Sequence, residues 1–281
     1  MTNTLKTTVL LAALTGLMLW VGDLLGGQSG LIVALLFAAA MNVGSFWFSD
    51  KIVLRMYGAQ ELSDQQAPDL FRIVRELAAG AQMPMPRVYL IPSPSPNAFA
   101  TGRSPNHAAV AVTEGILRLL SWDELKGVLA HELSHVRNRD TLTSAIAATL
   151  AGVIMTMARM AYWWGPMLTG QRDERNRSSG LELLVLMLVA PLAATLIQLA
   201  ISRAREYEAD ATGAHLMHDP QALAAALEKI ATVSGRIPLA AGPATAHLFI
   251  VNPLQGNWLA KLFSTHPPIE ERIRRLRSMT A

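Results

Sequence analysis

Apolar residues run in long unbroken blocks at the start of the chain and again past its middle. Elsewhere they recur with the spacing of amphipathic elements. Residues 7–22 lie uncharged between Lys6 and Asp23, and residues 24–49 carry no charge either. A bilayer crossing needs roughly 20 apolar residues. The pattern therefore predicts two membrane helices, about 5–24 and 30–49, joined by the turn Gly26-Gly27-Gln28-Ser29-Gly30. Trp20, Trp47 and Phe48 fall near the span ends, where interfacial aromatics belong. A cleaved signal peptide is the alternative for the first block, but a second block follows at once and no clear A-x-A site is present.

From residue 50 charge appears throughout. Leu70, Ile73, Val74 and Leu77 keep the 3.6-residue period of a helix opened by Pro68. Residues 87–91, 97–101 and 108–113 read as strands, with Pro92, Pro94 and Pro96 breaking regular structure between the first two. Ser121 with Glu124 forms a capping box, predicting a helix from about Trp122 to Arg139. Residues 141–158 and 183–202 are again uncharged and predict a third and fourth span, around the polar loop 169–180. Two buried helices of a large soluble core are the alternative for that pair. Further helices are expected at about 203–217, 220–232 and 268–279, whereas the tract 233–257 fits no motif.

The expected organisation is a membrane hairpin at 1–49, the first part of a catalytic domain at 50–140, a second hairpin at 141–201, and the rest of the catalytic domain at 202–281. Lys51, Arg55, Arg137, Arg139, Arg203 and Arg205 flank the spans on one side and point that side to the cytoplasm. Arg172, Arg175 and Arg177 in the second loop dissent, against Asp173 and Glu174.

Composition agrees with a membrane protein. Of 281 residues 51% are hydrophobic and 16% charged, with mean hydropathy +0.29; soluble domains carry about 25% charged residues. A net charge of +3 without a basic run argues against nucleic acid as a partner. With no cysteine, disulfides and thiolate ligands are excluded, so any metal must be held by histidines and carboxylates.

The candidate chemistry is His131-Glu132-Leu133-Ser134-His135, on the capped helix. Histidines four apart share one helix face and can ligate one metal ion, while Glu132 can take a proton from the attacking water as general base. A catalytic zinc usually has three protein ligands. Glu206 is the candidate third, and Asp210, four residues on, is a candidate to orient a ligand imidazole through its other N–H. On spacing alone these carboxylates could equally pair with Arg203 and Arg205 on a solvated helix. Topology favours the ligand reading: the His helix ends before the third span and Glu206 follows the fourth, and two crossings return the chain to the same side.

With "NAFATG" at 97–102, "AVTEGIL" at 111–117, "HELSH" at 131–135, "SRAREYEAD" at 202–210 and "THPPIEERI" at 265–273, the chain resembles the HtpX heat-shock protease family. More distantly it resembles the integral-membrane CAAX prenyl endopeptidases. The resemblance implies a mainly α membrane protein with four transmembrane helices and a mixed α/β zincin-like (gluzincin) catalytic domain. It implies one Zn2+ per chain on His131, His135 and Glu206, and peptide-bond hydrolysis of misfolded or damaged membrane proteins at the cytoplasmic face of the bacterial inner membrane. Asn97, Ala98, Phe99 and Ala100 look like the edge strand on which such peptidases lay the substrate backbone, with an ordinary strand as the alternative. The resemblance also suggests His266 as an oxyanion stabiliser and Arg272 as a residue behind the ligands; a plain helix start and a structural ion pair are the alternatives for these two. Polypeptide substrates and the bilayer are the expected partners, while self-cleavage between copies and a homo-oligomer stay open. The alternative from another class is a non-catalytic membrane adaptor with a structural zinc site, which would usually need four protein ligands.

Overall fold

The computed structural model describes residues 3–144, 146, 203–234, 248–250 and 267–279. Most of the third and all of the fourth expected span, the loop between them and His266 lie outside the described residues.

Helix α1 covers Asn3–Met56 and is broken at Gly27, whose φ of 53° and ψ of −137° are not helical. Glycine adopts that left-handed region without the Cβ penalty. The chain folds back there, because Asn42 Nδ2 donates to Thr15 Oγ1 at 2.9 Å. In one straight helix those residues would stand roughly 40 Å apart. The two expected helices are thus a hairpin, with the second continuing past residue 49 to Met56. Among the described residues, one segment is long and apolar enough to cross a bilayer, Gly27–Phe48. Its side chains point outward: Val33 is 67% and Leu36 69% exposed. Such a surface is unfavourable in water and suited to lipid.

The polar region holds a four-stranded sheet of β1 (Gln60–Glu61), β2 (Arg87–Ile91), β3 (Ala98–Gly102) and β4 (Ala108–Thr113), in the order β1-β2-β4-β3. β2 and β4 are parallel, while β1 and β3 pair antiparallel to their neighbours. The third strand begins one residue later than its sequence pattern suggests. Around the sheet pack α2 (Pro68–Gly80), α3 (Glu114–Leu119), α4 (Trp122–Arg137), α5 (Arg203–Met217), α6 (Pro220–Ser234) and α7 (Ile269–Arg277). The short β1 and α3 had no clear sequence signal.

Side chains alternate between the two sheet faces, and both faces are buried. Val88, Ala98, Ala100, Val110 and Val112 join the main core with Leu70, Leu77, Leu125, Leu129, Leu133 and Leu227 from the helices. Tyr89, Ile91, Phe99, Ala109 and Ala111 face the other way, onto Val53 and Leu54 of α1. The end of the membrane hairpin therefore belongs to the catalytic core. Asp50 fixes the junction by accepting from Arg87 Nη2 at 2.9 Å.

Helix α4 is the central element. Ser121 and Glu124 form the full capping box at its start, a device worth about 1 kcal/mol. Burial pushes the Glu124 carboxyl up, but hydrogen bonds from Lys229 and from the Ser121 amide outweigh it and hold it low. The helix ends at Arg137, two residues before the expected limit, since Arg139 takes φ 59°. That turn re-aims the chain, and helical backbone resumes at 140.

Candidate metal centre

Helix α4 carries His131, Glu132 and His135, and α5 crosses it closely enough to bring Glu206 and Asp210 to the same place. The approach depends on Gly213, which lies on the face that Glu206 and Asp210 share (i, i+4, i+7). A Cβ there would stand 2.8 Å from the His131 backbone nitrogen.

His131, His135 and Glu206 each offer a ligand atom, all within 4.8 Å of one another. The two Nε2 atoms are 3.3 Å apart. Glu206 Oε1 lies 3.5 Å from His135 Nε2 and Oε2 lies 3.8 Å from His131 Nε2. An ion bound tetrahedrally at about 2.0–2.1 Å separates its ligand atoms by roughly 3.3–3.4 Å. The edge between the two histidines matches that value, while each histidine has a different Glu206 oxygen as its nearest neighbour, at 3.5 and 3.8 Å.

The other ring nitrogens explain why the lone pairs converge. His131 Nδ1 lies 2.9 Å from Asp210 Oδ1, and His135 Nδ1 lies 3.1 Å from Asp140 Oδ2. Each carboxylate accepts the Nδ1–H, so in the neutral tautomers both Nε2 atoms are left as acceptors. Two imidazole lone pairs and a carboxylate then face one point, an arrangement that a cation satisfies.

Behind Asp210 lies Arg272, 1% exposed, donating from Nε to Oδ2 at 2.8 Å and from Nη2 to Oδ1 at 2.7 Å. Burial pushes the Asp210 carboxyl up, but the charge and hydrogen bonds of Arg272 outweigh it and hold it well below the usual range. Arg272 is thus the ion-pair partner of Asp210, the carboxylate that lies beside His131 Nδ1. Burial likewise disfavours the His135 imidazolium. The Asp140 hydrogen bond and the charges of Glu206, Glu132 and Asp140 outweigh it, raising the group to about 9.

Asp140 escaped the sequence reading. It is 4% exposed, and its other oxygen accepts from Arg205 Nη1 at 2.9 Å. The one signal was a lone carboxylate between the His helix and an uncharged block. Arg205 does pair with a carboxylate, as the alternative for this segment supposed, but the partner is Asp140.

Glu132 Oε2 accepts from the Ala100 amide at 3.0 Å, tying the acidic side chain to β3. Ala98, Phe99 and Ala100 lie on that strand, which is an edge among the described residues. Asn97 lies just before it and does something else. Its side-chain Oδ1 accepts from the Ile250 amide at 3.1 Å and its Nδ2 donates to the Leu248 carbonyl at 3.5 Å. Asn97 is 2% exposed, so its side chain fastens the 248–250 segment and is not offered to a ligand. Leu248, Phe249 and Ile250 thereby line the pocket over the histidines together with Phe99. Sequence alone found no use for that tract.

Residues 64–280 match peptidase family M48. The chain is 63% identical to the protease HtpX homolog of Syntrophobacter fumaroxidans, over 98% of each chain. It is 56% identical to that of Desulforapulum autotrophicum, over 99% of this chain and 90% of the relative. Among solved structures it is similar to the crystal structure of S. mikatae Ste24p, with TM-score 0.53 and 18% identity. That likeness, which concerns the fold alone, covers 98% of this chain and 65% of the neighbour. The match to a peptidase family over most of the chain, together with a His/His/Glu group placed to hold a metal ion, shows that the chain belongs to peptidase family M48 and is a metalloprotease.

Proposed function

We propose that this protein is a zinc-dependent endopeptidase that removes misfolded or damaged membrane proteins, working at the cytoplasmic face of the bacterial inner membrane. The convergence of His131, His135 and Glu206, whose ligand atoms lie within 4.8 Å of one another, carries this reading. A His₂Glu set with an open fourth position suits zinc better than the alternatives. Zinc, when bound, polarises the scissile carbonyl and makes water acidic enough to attack at neutral pH.

The chain's own residues do the rest. Glu132 takes the proton of the attacking water and passes it to the leaving nitrogen. Asp210, held by Arg272, keeps His131 in the ligating tautomer, and Asp140 does so for His135. On the family resemblance, an extended substrate is assigned to the edge at Asn97–Ala100, where main-chain hydrogen bonds ask for little sequence preference. His266 is assigned to the developing oxyanion on the family resemblance. The division at 49, 140 and 201 and the third and fourth spans belong to the same reading, supported by the uncharged blocks 141–158 and 183–202.

Glu132→Ala tests the mechanism. Expected are retained zinc, measured by metal analysis, and casein-type cleavage reduced by about 10²–10⁴-fold, the usual contribution of a general base. Undiminished cleavage overturns it. Self-cleavage is part of the reading, and protein that stays intact with zinc while cutting an added substrate excludes it.

A further inference from the structure

The edge strand and the membrane helix touch at two points, and the two points fix their relative direction. Tyr57, just past the end of α1, has its ring centroid 5.9 Å from that of Phe99, early in β3. Trp47, ten positions earlier, has the Arg103 guanidinium 4.5 Å from its ring centroid, just past the end of β3. Ten helical residues rise about 15 Å and four strand residues about 13 Å. The reversed order of the two contacts and their similar spacings point to β3 running alongside the continuing membrane helix, antiparallel to it. The strand therefore stands along the axis of the span, with Ala98 far from the bilayer and Arg103 next to it.

The bilayer level is marked independently. The apolar segment ends at Phe48, and Asp50, Lys51 and Arg55 follow at once. Trp47 is thus an interfacial aromatic, and its cation partner Arg103 lies at the same level. On the other side of the strand, Thr141 Oγ1 donates to the Gly102 carbonyl at 3.0 Å. Thr141 opens the uncharged block 141–158, so a second apolar stretch starts at the level of Gly102. Both markers put the Gly102–Arg103 end of the strand at the membrane surface.

The catalytic level follows from Ala100, whose amide holds Glu132. Outward and inward groups alternate along an antiparallel edge. Ala98, Ala100 and Gly102 therefore turn their N–H and C=O outward, and Thr141 already occupies the Gly102 carbonyl. The metal centre therefore stands at the level of Ala100, and a chain leaving it toward the bilayer has about three extended residues, roughly 10 Å, to cover.

Building on the peptidase reading, we propose that the protein cleaves the segment of a membrane-anchored polypeptide that adjoins its span, choosing the bond by its height above the bilayer and not by its sequence. The fold supplies the ruler: the sheet edge is mounted on the span through Trp47–Arg103 and Tyr57–Phe99, so the metal centre keeps a fixed stand-off.

The test uses the full-length protein with zinc in lipid vesicles. Its substrates are single-span proteins whose cytoplasmic tail carries one, two or three copies of the same cleavable segment, with cut sites read by mass spectrometry. Cuts are expected in the copy adjoining the span, within a few residues of it, and at least about tenfold faster than in the distal copies, which share the tether but not the height. Equal cutting of every copy at one sequence register overturns the ruler. The free segment without a span, added to the same vesicles, separates the two ideas. Zinc-dependent cutting of the free segment together with equal cutting of all anchored copies leaves the peptidase reading intact and removes the ruler. No zinc-dependent cutting of any substrate overturns both.

Discussion

Arg272 clamps Asp210 with two hydrogen bonds of 2.8 and 2.7 Å in a place where the arginine is 1% exposed. The pair sits behind His131, whose Nδ1 is 2.9 Å from the same carboxylate. One buried ion pair thus couples α7, α5 and a candidate metal ligand. Arg272→Met should leave a buried carboxylate uncompensated. A loss of about 3–5 kcal/mol is expected, read as a lower unfolding midpoint in denaturant, and metal should be held more weakly. An unchanged midpoint would contradict the coupling.

Asp140 should matter for metal in proportion to its hold on His135. Removing a carboxylate that orients a ligand imidazole typically costs 10–100-fold in metal affinity. Asp140→Ala is expected to show such a loss in competition against a chelator. Asp140→Asn, which keeps one acceptor oxygen, should recover part of it.

The metal-free protein should bind zinc with a definite pH dependence. His135 is raised from 6.5 to about 9, so its proton competes with the ion through the physiological range. Ligation needs the nitrogen lone pair, so uptake releases a proton below pH 9, and apparent affinity should rise about tenfold per unit of pH as pH climbs toward that value. The same shift has a sign for folding. Its stabilisation of the metal-free protein is complete below 6.5 and is lost as pH rises through about 9. Calorimetric titration in buffers of different ionisation enthalpy counts the released proton; zero release between pH 6.5 and 8 would refute the assignment.

Gly213→Ala should act at a distance from any ligand atom. A methyl 2.8 Å from the His131 nitrogen forces α5 away from α4. Overpacking of this kind costs about 1–3 kcal/mol, and the shift should also draw Glu206 off the metal. The expected result is reduced stability together with reduced zinc content. Alanine at the exposed neighbour Glu208, on the same helix, is expected to do neither.

Much of the catalytic domain was legible because its signals are local. The capping box at Ser121 and the period of Leu70, Ile73, Val74 and Leu77 are written in neighbouring residues. Histidines four apart share a helix face wherever that helix packs. The chain of apolar blocks announced a membrane, and the lack of cysteine confined the ligand set to histidine and carboxylate. These are consequences of backbone period, side-chain length and the solvation of charge, and they hold before any tertiary contact forms.

Other features exist only because distant segments meet. Asp140 binds His135 because a left-handed Arg139 turns the chain after the helix, and nothing in the residue types marks that turn. Asn97 reads as part of a peptide-binding strand, yet its side chain is spent on Leu248 and Ile250, more than a hundred residues away. Arg272 gains its meaning from a carboxylate brought to it by another helix. The continuation of the membrane helix into the core follows from packing on the second face of the sheet. The sequence determined which groups could do the chemistry; the fold decided which of them face one another, because burial and helix crossing are long-range and leave no period in the chain.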